Sequence, residues 1–379
     1  MKNITITDEF REFLNIAENT NQSIFLTGKA GTGKSTVIKE FIAETGKNVV
    51  VLAPTGIAAV NAGGQTIHSF FRLKNNRQSV KFDKERHELY KAIDTIIIDE
   101  ISMVRADIMD AIDETLRINR ECENIPFGGV QIIFVGDLFQ LPPVVTNQDR
   151  EYINSTYKSE YFFDAKCMLN YRYKFIELTT IFRQSNSDDD FKNILNNIRV
   201  NSKDLNLDLL NTRYSQNANN GVYLTSRKEV AEKLNVERLK ELNGESYYFN
   251  ASISGAFAST QAPAPENLEL KTGAKVMLLN NDKDGRWCNG TMGGITLITD
   301  NTIYVLVVGK NNTETLQVDR YSWKKYEFEW SEKQEKIIAV PTGEFCQFPM
   351  KLAYAITIHK SQGQTFDNVV IDIANGAFA

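Results

Sequence analysis

The run Gly28-Lys29-Ala30-Gly31-Thr32-Gly33-Lys34-Ser35, with Thr36 behind it, constrains this 379-residue chain more than any other stretch. It fits the G-x-x-x-x-G-K-[ST] spacing of a phosphate cradle. Upstream, Ser23-Ile24-Phe25-Leu26-Thr27 reads as a short buried strand, and downstream Thr36 to Ile42 carries the apolar spacing of a helix. In that order, strand, glycine turn and helix turn backbone N–H groups and the positive end of the helix toward a β-phosphate. Lys34 is then expected to reach the β- and γ-phosphates, and the Ser35 hydroxyl to ligate Mg²⁺. The expected ligands are a nucleoside triphosphate and Mg²⁺, held by Gly28, Ala30, Gly31, Thr32, Gly33, Lys34, Ser35 and Thr36.

A phosphate loop alone does not hydrolyse anything. The β-branched run Thr95-Ile96-Ile97-Ile98 ends in Asp99 and Glu100, two carboxylates that alternation points in different directions at the carboxyl edge of a parallel sheet. Asp99 suits a metal-holding acid and Glu100 a group that polarises the attacking water. A third strand, Gln131-Ile132-Ile133-Phe134-Val135, runs into Gly136-Asp137-Leu138-Phe139-Gln140-Leu141-Pro142-Pro143. There Gln140 is a neutral amide suited to sensing a γ-phosphate, whereas the bland reading is an ordinary Pro-Pro stop. Arg183, in Phe182-Arg183-Gln184, reads on its own as a surface arginine.

The length predicts two to three domains, and 42% hydrophobic with 24% charged residues is ordinary for a globular protein. Four cysteines with no C-x-x-C spacing point to reduced thiols and away from a zinc or disulfide framework. No apolar run approaches the ~20 residues of a membrane span, so a cytoplasmic (bacterial nucleoid) or nuclear protein is expected. A net charge of -5 argues against a dominant basic surface but leaves room for a narrow strand groove.

Taken in order, these segments resemble the Pif-type (petite integration frequency) DNA helicases of superfamily one B. Gly28 to Thr36 is similar to helicase motif I, Leu52-Ala53-Pro54-Thr55-Gly56-Ile57-Ala58-Ala59 to motif Ia, Ile98 to Met103 to motif II, and Gly136 to Pro143 to motif III. Phe182-Arg183-Gln184 resembles motif IV, and Tyr354 to Phe366 resembles motif V. Asp110 to Arg120, followed by Pro126-Phe127-Gly128-Gly129-Val130-Gln131, resembles the segment by which this family is told from its neighbours. The resemblance implies Lys34, Asp99, Glu100, Gln140 and Arg183 as catalytic residues, with Arg183 an arginine finger. It also implies that the triphosphate is ATP, with nucleotide contacts from Gly363 and Gln364. DNA contacts are implied at Pro54, Thr55, Gly56, Thr66, His68, Pro142, Thr225, His359, Ser361 and Gln362. Small and polar groups at Pro54-Thr55-Gly56, closing a strand and opening a helix, suit a grip on a strand phosphate. Phe70 and Phe71 read either as base-stacking platforms or, by the usual burial of Phe, as core.

The implied fold is α/β: two RecA-like P-loop domains with parallel sheets, a small inserted wedge at about 72–92 and a small inserted antiparallel β-barrel at about 293–345. The first domain is expected over 1–185 and the second over 186–379. In and just before the barrel, Trp287, Trp323, Lys324, Lys325 and Tyr326 read as channel-lining residues or as an ordinary half-buried aromatic face. The implied activity is ATP-dependent, 5′-to-3′ unwinding of duplex or structured DNA, such as a G-quadruplex, in repair, recombination or telomere maintenance. The implied partners are single-stranded and 5′-tailed DNA, with the protein a monomer or a dimer on DNA. Two departures stand out. The family's adenine-reading glutamine falls at Phe10 or Arg11, and the chain stops after motif V, before a further family arginine. The rival readings are a nucleotide-gated single-strand binder without unwinding, and a RecD-like or RNA helicase of the same superfamily.

Overall fold

Short runs of Val, Ile and Phe, flanked by glycines and polar residues, build a parallel sheet because both of its faces are covered by helices. The computed structural model describes residues 6–29, 31–73, 81–180, 182, 189–203, 206–212, 214, 221–258, 261–308, 313–361, 366 and 368–372. The chain divides into two units, Met1–Leu205 with Lys325–Pro341, and Asn206–Lys324 with Thr342–Ala379.

In the first unit, β1 (Ile24–Gly28), β2 (Val49–Ala53), β3 (Gln65–Thr66), β4 (Thr95–Ile98), β5 (Gln131–Val135) and β6 (Lys174–Leu178) form one sheet in the order β3-β2-β4-β5-β1-β6. Every pairing in it is parallel. β1, β4 and β5 are buried at every position, which is why they read in sequence as unbroken apolar runs. The helices are α1 (Asp8–Asn19), α2 (Lys34–Glu44), α3 (Gly56–Ala62), α4 (Ile67–Phe70), α5 (His87–Ala92), α6 (Ala106–Asn119), α7 (Asn147–Thr156) and α8 (Asp189–Arg199). Thr7 caps α1 by accepting from the Phe10 amide, and its buried face is Phe10, Phe13 and Ala17, one turn apart. The expected wedge region contributes α5, while 74–80 lies outside the described residues.

The family-like segment around α6 scaffolds this sheet. The Arg120 guanidinium donates to the carbonyls of Gly128 (2.8 Å), Tyr90 (2.5 Å), Lys91 (3.0 Å) and Ile93 (3.0 Å), tying the end of α5 to the turn before β5. The Asp113 carboxylate accepts from the Phe127 amide at 2.6 Å and from Arg117 at 2.7 Å. Gln131, fully buried at the start of β5, accepts from the Thr95 hydroxyl and the Lys47 ammonium and donates to the Gln22 carbonyl. Residues 325–341 also pack in this unit. Phe328 is buried with its ring 6.2 Å from Phe70, its amide donates to Gln65 Oε1, and the Ile337 amide donates to Asn48 Oδ1.

The second unit holds α9 (Leu207–Asn211), α10 (Lys228–Glu241) and α11 (Ile358–Ser361), and strands β7 (Val222–Thr225), β8 (Tyr247–Asn250), β9 (Ser252–Gly255), β10 (Asn267–Leu270), β11 (Lys275–Leu278), β12 (Met292–Ile298), β13 (Thr302–Val308) and β14 (Thr313–Asp319). Then come β15 (Tyr321–Ser331) and β16 (Lys336–Gln347), whose outer parts belong to the first unit, and β17 (Met350–Leu352), β18 (Ala355–Thr357) and β19 (Val369–Asp372). The order β18-β7-β19 is a parallel sheet in which Thr225 pairs with Thr357 on one side and Asp372 on the other. The other sheets run in the order β14-β13-β12-β11-β17, β15-β16-β9 and β10-β8, with every pair of the five-stranded sheet, β16-β9 and β10-β8 antiparallel. Antiparallel strands therefore begin at Tyr247, upstream of residue 293. Two parallel sheets with added antiparallel ones agree with the expected fold class. No described helix is long and apolar enough to cross a membrane.

Candidate active site

Loops after β1, β4 and β5 leave the same carboxyl edge of the first sheet, the edge where parallel α/β sheets bind ligands. β1 ends at Gly28 with φ 148°; a Cβ there would lie 2.7 Å from both the Leu178 carbonyl oxygen and the Thr32 hydroxyl, so only glycine fits. Gly33, at φ 92°, opens α2 in the left-handed region with no side-chain cap. The first amides of α2 thus meet no capping side chain, as an anion-binding helix start requires. Thr32, buried, donates its hydroxyl to the Lys29 carbonyl at 2.9 Å. The Lys34 ammonium folds back onto the carbonyls of Gly28 (2.7 Å) and Lys29 (3.2 Å). Its burial lowers its pKa, against the opposing pull of the Asp137, Glu100 and Asp99 carboxylates. Ser35 and Thr36 are exposed in the first turn of α2, and Ala30 lies outside the described residues.

Beyond β4, the Asp99 amide donates to the Leu52 carbonyl at 2.8 Å, and the Asp99 carboxylate accepts from the Glu100 amide at 2.9 Å. Glu100 sits at φ 51°, a conformation that costs a non-glycine residue about 1 kcal/mol or more and recurs at functional sites. Burial raises the pKa of both acids; for Glu100, burial and then the Asp99 charge push it up to about 7.

After β5, Asp137 is 4% exposed and organises the turn that follows. Its carboxylate accepts from the Phe139 amide (3.1 Å), the Gln140 side-chain amide (3.3 Å) and the Arg199 guanidinium (2.8 Å). Gln140 and Pro142 are half-buried in this turn. The Phe182 amide donates to the Gly31 carbonyl at 3.0 Å, so the segment entering Phe182-Arg183-Gln184 touches the phosphate loop; Arg183 itself lies outside the described residues. Lys34, Asp99, Glu100 and the Gln140 turn are therefore brought together. Phe10, one candidate for the glutamine position, is core at 2% exposure, and Arg11 pairs with Asp8 in solvent.

The expected strand contacts on this unit lie along the ends of β2 and β3. Thr55 accepts from the Ala58 amide and Thr66 from the Ser69 amide, each capping a helix, with Pro54 and Gly56 half-buried and Thr55 and His68 exposed. Phe70 and Phe71 are core residues at 0% and 5% exposure, edge to face with each other, with Tyr90 edge to face with Phe70 and stacked parallel to Phe71. In the second unit Thr225 is 3% exposed and its hydroxyl accepts from the Arg227 amide, while the Ser361 hydroxyl donates to the Ile358 carbonyl. The side chain of His359, and Gln362, Gly363 and Gln364, lie outside the described residues. Trp287 and Trp323 are buried: the Trp287 indole N–H donates to Asn280 under the Arg286 guanidinium, and Trp323 packs on Tyr321 and Phe345. Sequence reasoning missed Arg199, whose place in the last turn of a helix reads only as a partner of the helix dipole.

Comparison with known proteins follows the same lines. The family description PIF1-like helicase matches residues 6–206. An ATP-dependent DNA helicase Pif1 of Bdellovibrio bacteriovorus is 33% identical over 374 residues, covering 94% of this chain and 79% of that protein. The crystal structure of a Bacteroides Pif1 in complex with ADP-AlF4 superposes with a TM-score of 0.88 at 39% identity, over 97% of this chain and 86% of that one. Bacteroides Pif1 bound to single-stranded DNA gives a TM-score of 0.61 at 38% identity, over 99% and 87%. With a phosphate loop, an acid pair and a glutamine turn on one sheet edge, and with these likenesses running nearly end to end, the chain belongs to the PIF1-like helicase family.

Proposed function

We propose that this chain is an ATP-driven DNA helicase that moves 5′ to 3′ on single-stranded DNA and separates duplex or structured DNA ahead of it, in the bacterial nucleoid or a nucleus. The convergence of the Lys34 ammonium with the Asp99 and Glu100 carboxylates beside the Gln140 turn carries this reading. Lys34 leaves the Gly28 and Lys29 carbonyls for the phosphates, Glu100 polarises the attacking water, and Gln140 reports the presence of the γ-phosphate. Arg183, one residue past the amide bonded to Gly31, supplies a cation to the transferring phosphoryl group. The likeness to a relative that binds ADP-AlF4 supports the hydrolytic step, and the likeness to one bound to single-stranded DNA supports the substrate.

Mg²⁺ fits the residues present. The Ser35 hydroxyl and the Asp99 carboxylate are hard oxygen donors, and no group of three or more acidic, His or Cys residues that would make an all-protein cage occurs among the described residues. This matches an ion held by one or two side chains together with phosphates and water. Bound there, it would supply charge neutralisation on the phosphate oxygens. On the strand side, the candidate contacts of the first unit are Pro54, Thr55, Gly56, Thr66, His68 and Pro142 and those of the second are His359, Ser361 and Gln362, whereas Thr225, 3% exposed with its hydroxyl accepting from the Arg227 amide, is not open to a strand.

Duplexes with a 5′ tail, a 3′ tail or an all-RNA tail and stem test the reading. ATP-dependent unwinding of the 5′-tailed DNA alone is expected. Binding of single strands with no unwinding of any duplex would leave a nucleotide-gated binder instead.

A further inference from the structure

Arg199 is a charged side chain turned inward beside the nucleotide site, and no role derived above uses it. It lies in the last turn of α8, with its side chain 20% exposed and one terminal nitrogen 2.8 Å from the Asp137 carboxylate, itself 4% exposed. Its guanidinium carbon stands 4.5 Å over the Phe139 ring. Its Nε is buried and meets no hydrogen-bond partner among the described residues. A half-buried guanidinium whose Nε is buried and unmet carries a desolvation cost.

The partner of Arg199 is what gives the arrangement consequence. Asp137 holds the turn that carries Gln140, through the Phe139 amide and the Gln140 side chain. Of the charges acting on Lys34, Asp137 is the largest, and Arg199 opposes it. An uncompensated carboxylate there would repel an incoming γ-phosphate and would be free to pair with Lys34 in its place. We propose that Arg199 is a positioning residue for ATP hydrolysis, clamping Asp137 so that the Gln140 turn stays set for the γ-phosphate and linking that turn to α8, the last helix before the chain passes to the second unit.

This rests on the reading of the site as an ATP hydrolase. A bare structural ion pair would change stability alone; a clamp changes turnover selectively. The test uses the full chain with Arg199→Gln, Arg199→Lys, Asp137→Asn and the Asp137→Asn/Arg199→Gln double variant. Steady-state hydrolysis with single-stranded DNA is read alongside equilibrium binding of ADP and of ADP with aluminium fluoride. Arg199→Gln is expected to lower kcat at least tenfold with KM and ADP affinity within threefold. It should also lose at least tenfold of the extra affinity for ADP with aluminium fluoride. Arg199→Lys, which keeps the charge but not the fork, should recover part of kcat. The double variant should be no slower than the slower single one, since both break one contact.

The clamp is overturned by turnover of folded Arg199→Gln within twofold of wild type, by ADP affinity falling in step with kcat, or by effects that multiply in the double variant. If Arg199→Gln does not fold, Arg199→Lys and Asp137→Asn decide: kcat unchanged in both overturns the clamp, and a selective fall in kcat in both supports it. Wild-type protein without hydrolysis would sink the hydrolase reading and the clamp with it, whereas active wild type with indifferent variants sinks the clamp alone.

Discussion

Glu100→Gln should make the nucleotide-free protein more stable, because the site holds a carboxylate where burial and a neighbouring charge oppose ionisation. Burial and Asp99 push the Glu100 pKa from 4.5 up to about 7. A carboxyl group with a raised folded-state pKa binds its proton more tightly folded than unfolded, so it costs stability as pH rises between those two values and by a constant amount above the higher one. The difference is worth about 3 kcal/mol at 1.36 kcal/mol per pKa unit. Glutamine keeps the shape and removes the charge. At pH 8, Glu100→Gln should therefore gain about 3 kcal/mol, a rise of roughly 6–12 °C in Tm at the ~2–4 °C per kcal/mol of a domain this size. At pH 5, where the folded-state carboxyl is already protonated, the gain should shrink below about 1 kcal/mol. Calorimetry or dye-monitored melting at the two pH values, without nucleotide, measures both. A variant melting no higher than wild type at pH 8, or equally higher at both values, refutes the reasoning.

Two further predictions separate scaffold from site. Arg120→Ala removes donors to four backbone carbonyls and should cost about 2–4 kcal/mol in urea unfolding, with Arg120→Lys recovering only a part, since an ammonium lacks the fork. Phe70→Ala should cost about 3–5 kcal/mol as a core truncation, while exposed His68→Ala should leave stability within about 0.5 kcal/mol and weaken single-strand binding measured by fluorescence anisotropy.

What the sequence revealed follows the range of the forces involved. β1, β4 and β5 were legible because strands buried on both faces must be apolar throughout, and Gly28 and Gly33 because a phosphate loop dictates their backbone. Asp99 and Glu100 were legible because they follow a phosphate loop in the chain; alone, two acids after an apolar strand read equally well as a solvated strand end. Phe70 and Phe71 stayed ambiguous: a ring looks the same whether it meets a base or Tyr90 and Phe328, and those partners come from distant segments. The same holds for residues 325–341, whose alternation predicts strand but not that Phe328 seats against Gln65 and Phe70. The roles of Arg199 and Gln131 could not be read because each depends on a partner far along the chain, Asp137 for one and Thr95 with Lys47 for the other. Local pattern gives the edge of the sheet; long-range pairing decides what is held there.

Strand-stimulated phosphate release, measured for wild-type protein and for Lys34→Ala under conditions where both bind single-stranded DNA, tests the central claim most directly. The account predicts rapid ATP hydrolysis by wild type that rises when single-stranded DNA is added, and its loss by at least a hundredfold in Lys34→Ala while strand binding persists. Wild-type protein that binds the strand without accelerating phosphate release, or Lys34→Ala that hydrolyses ATP at the wild-type rate, would contradict it.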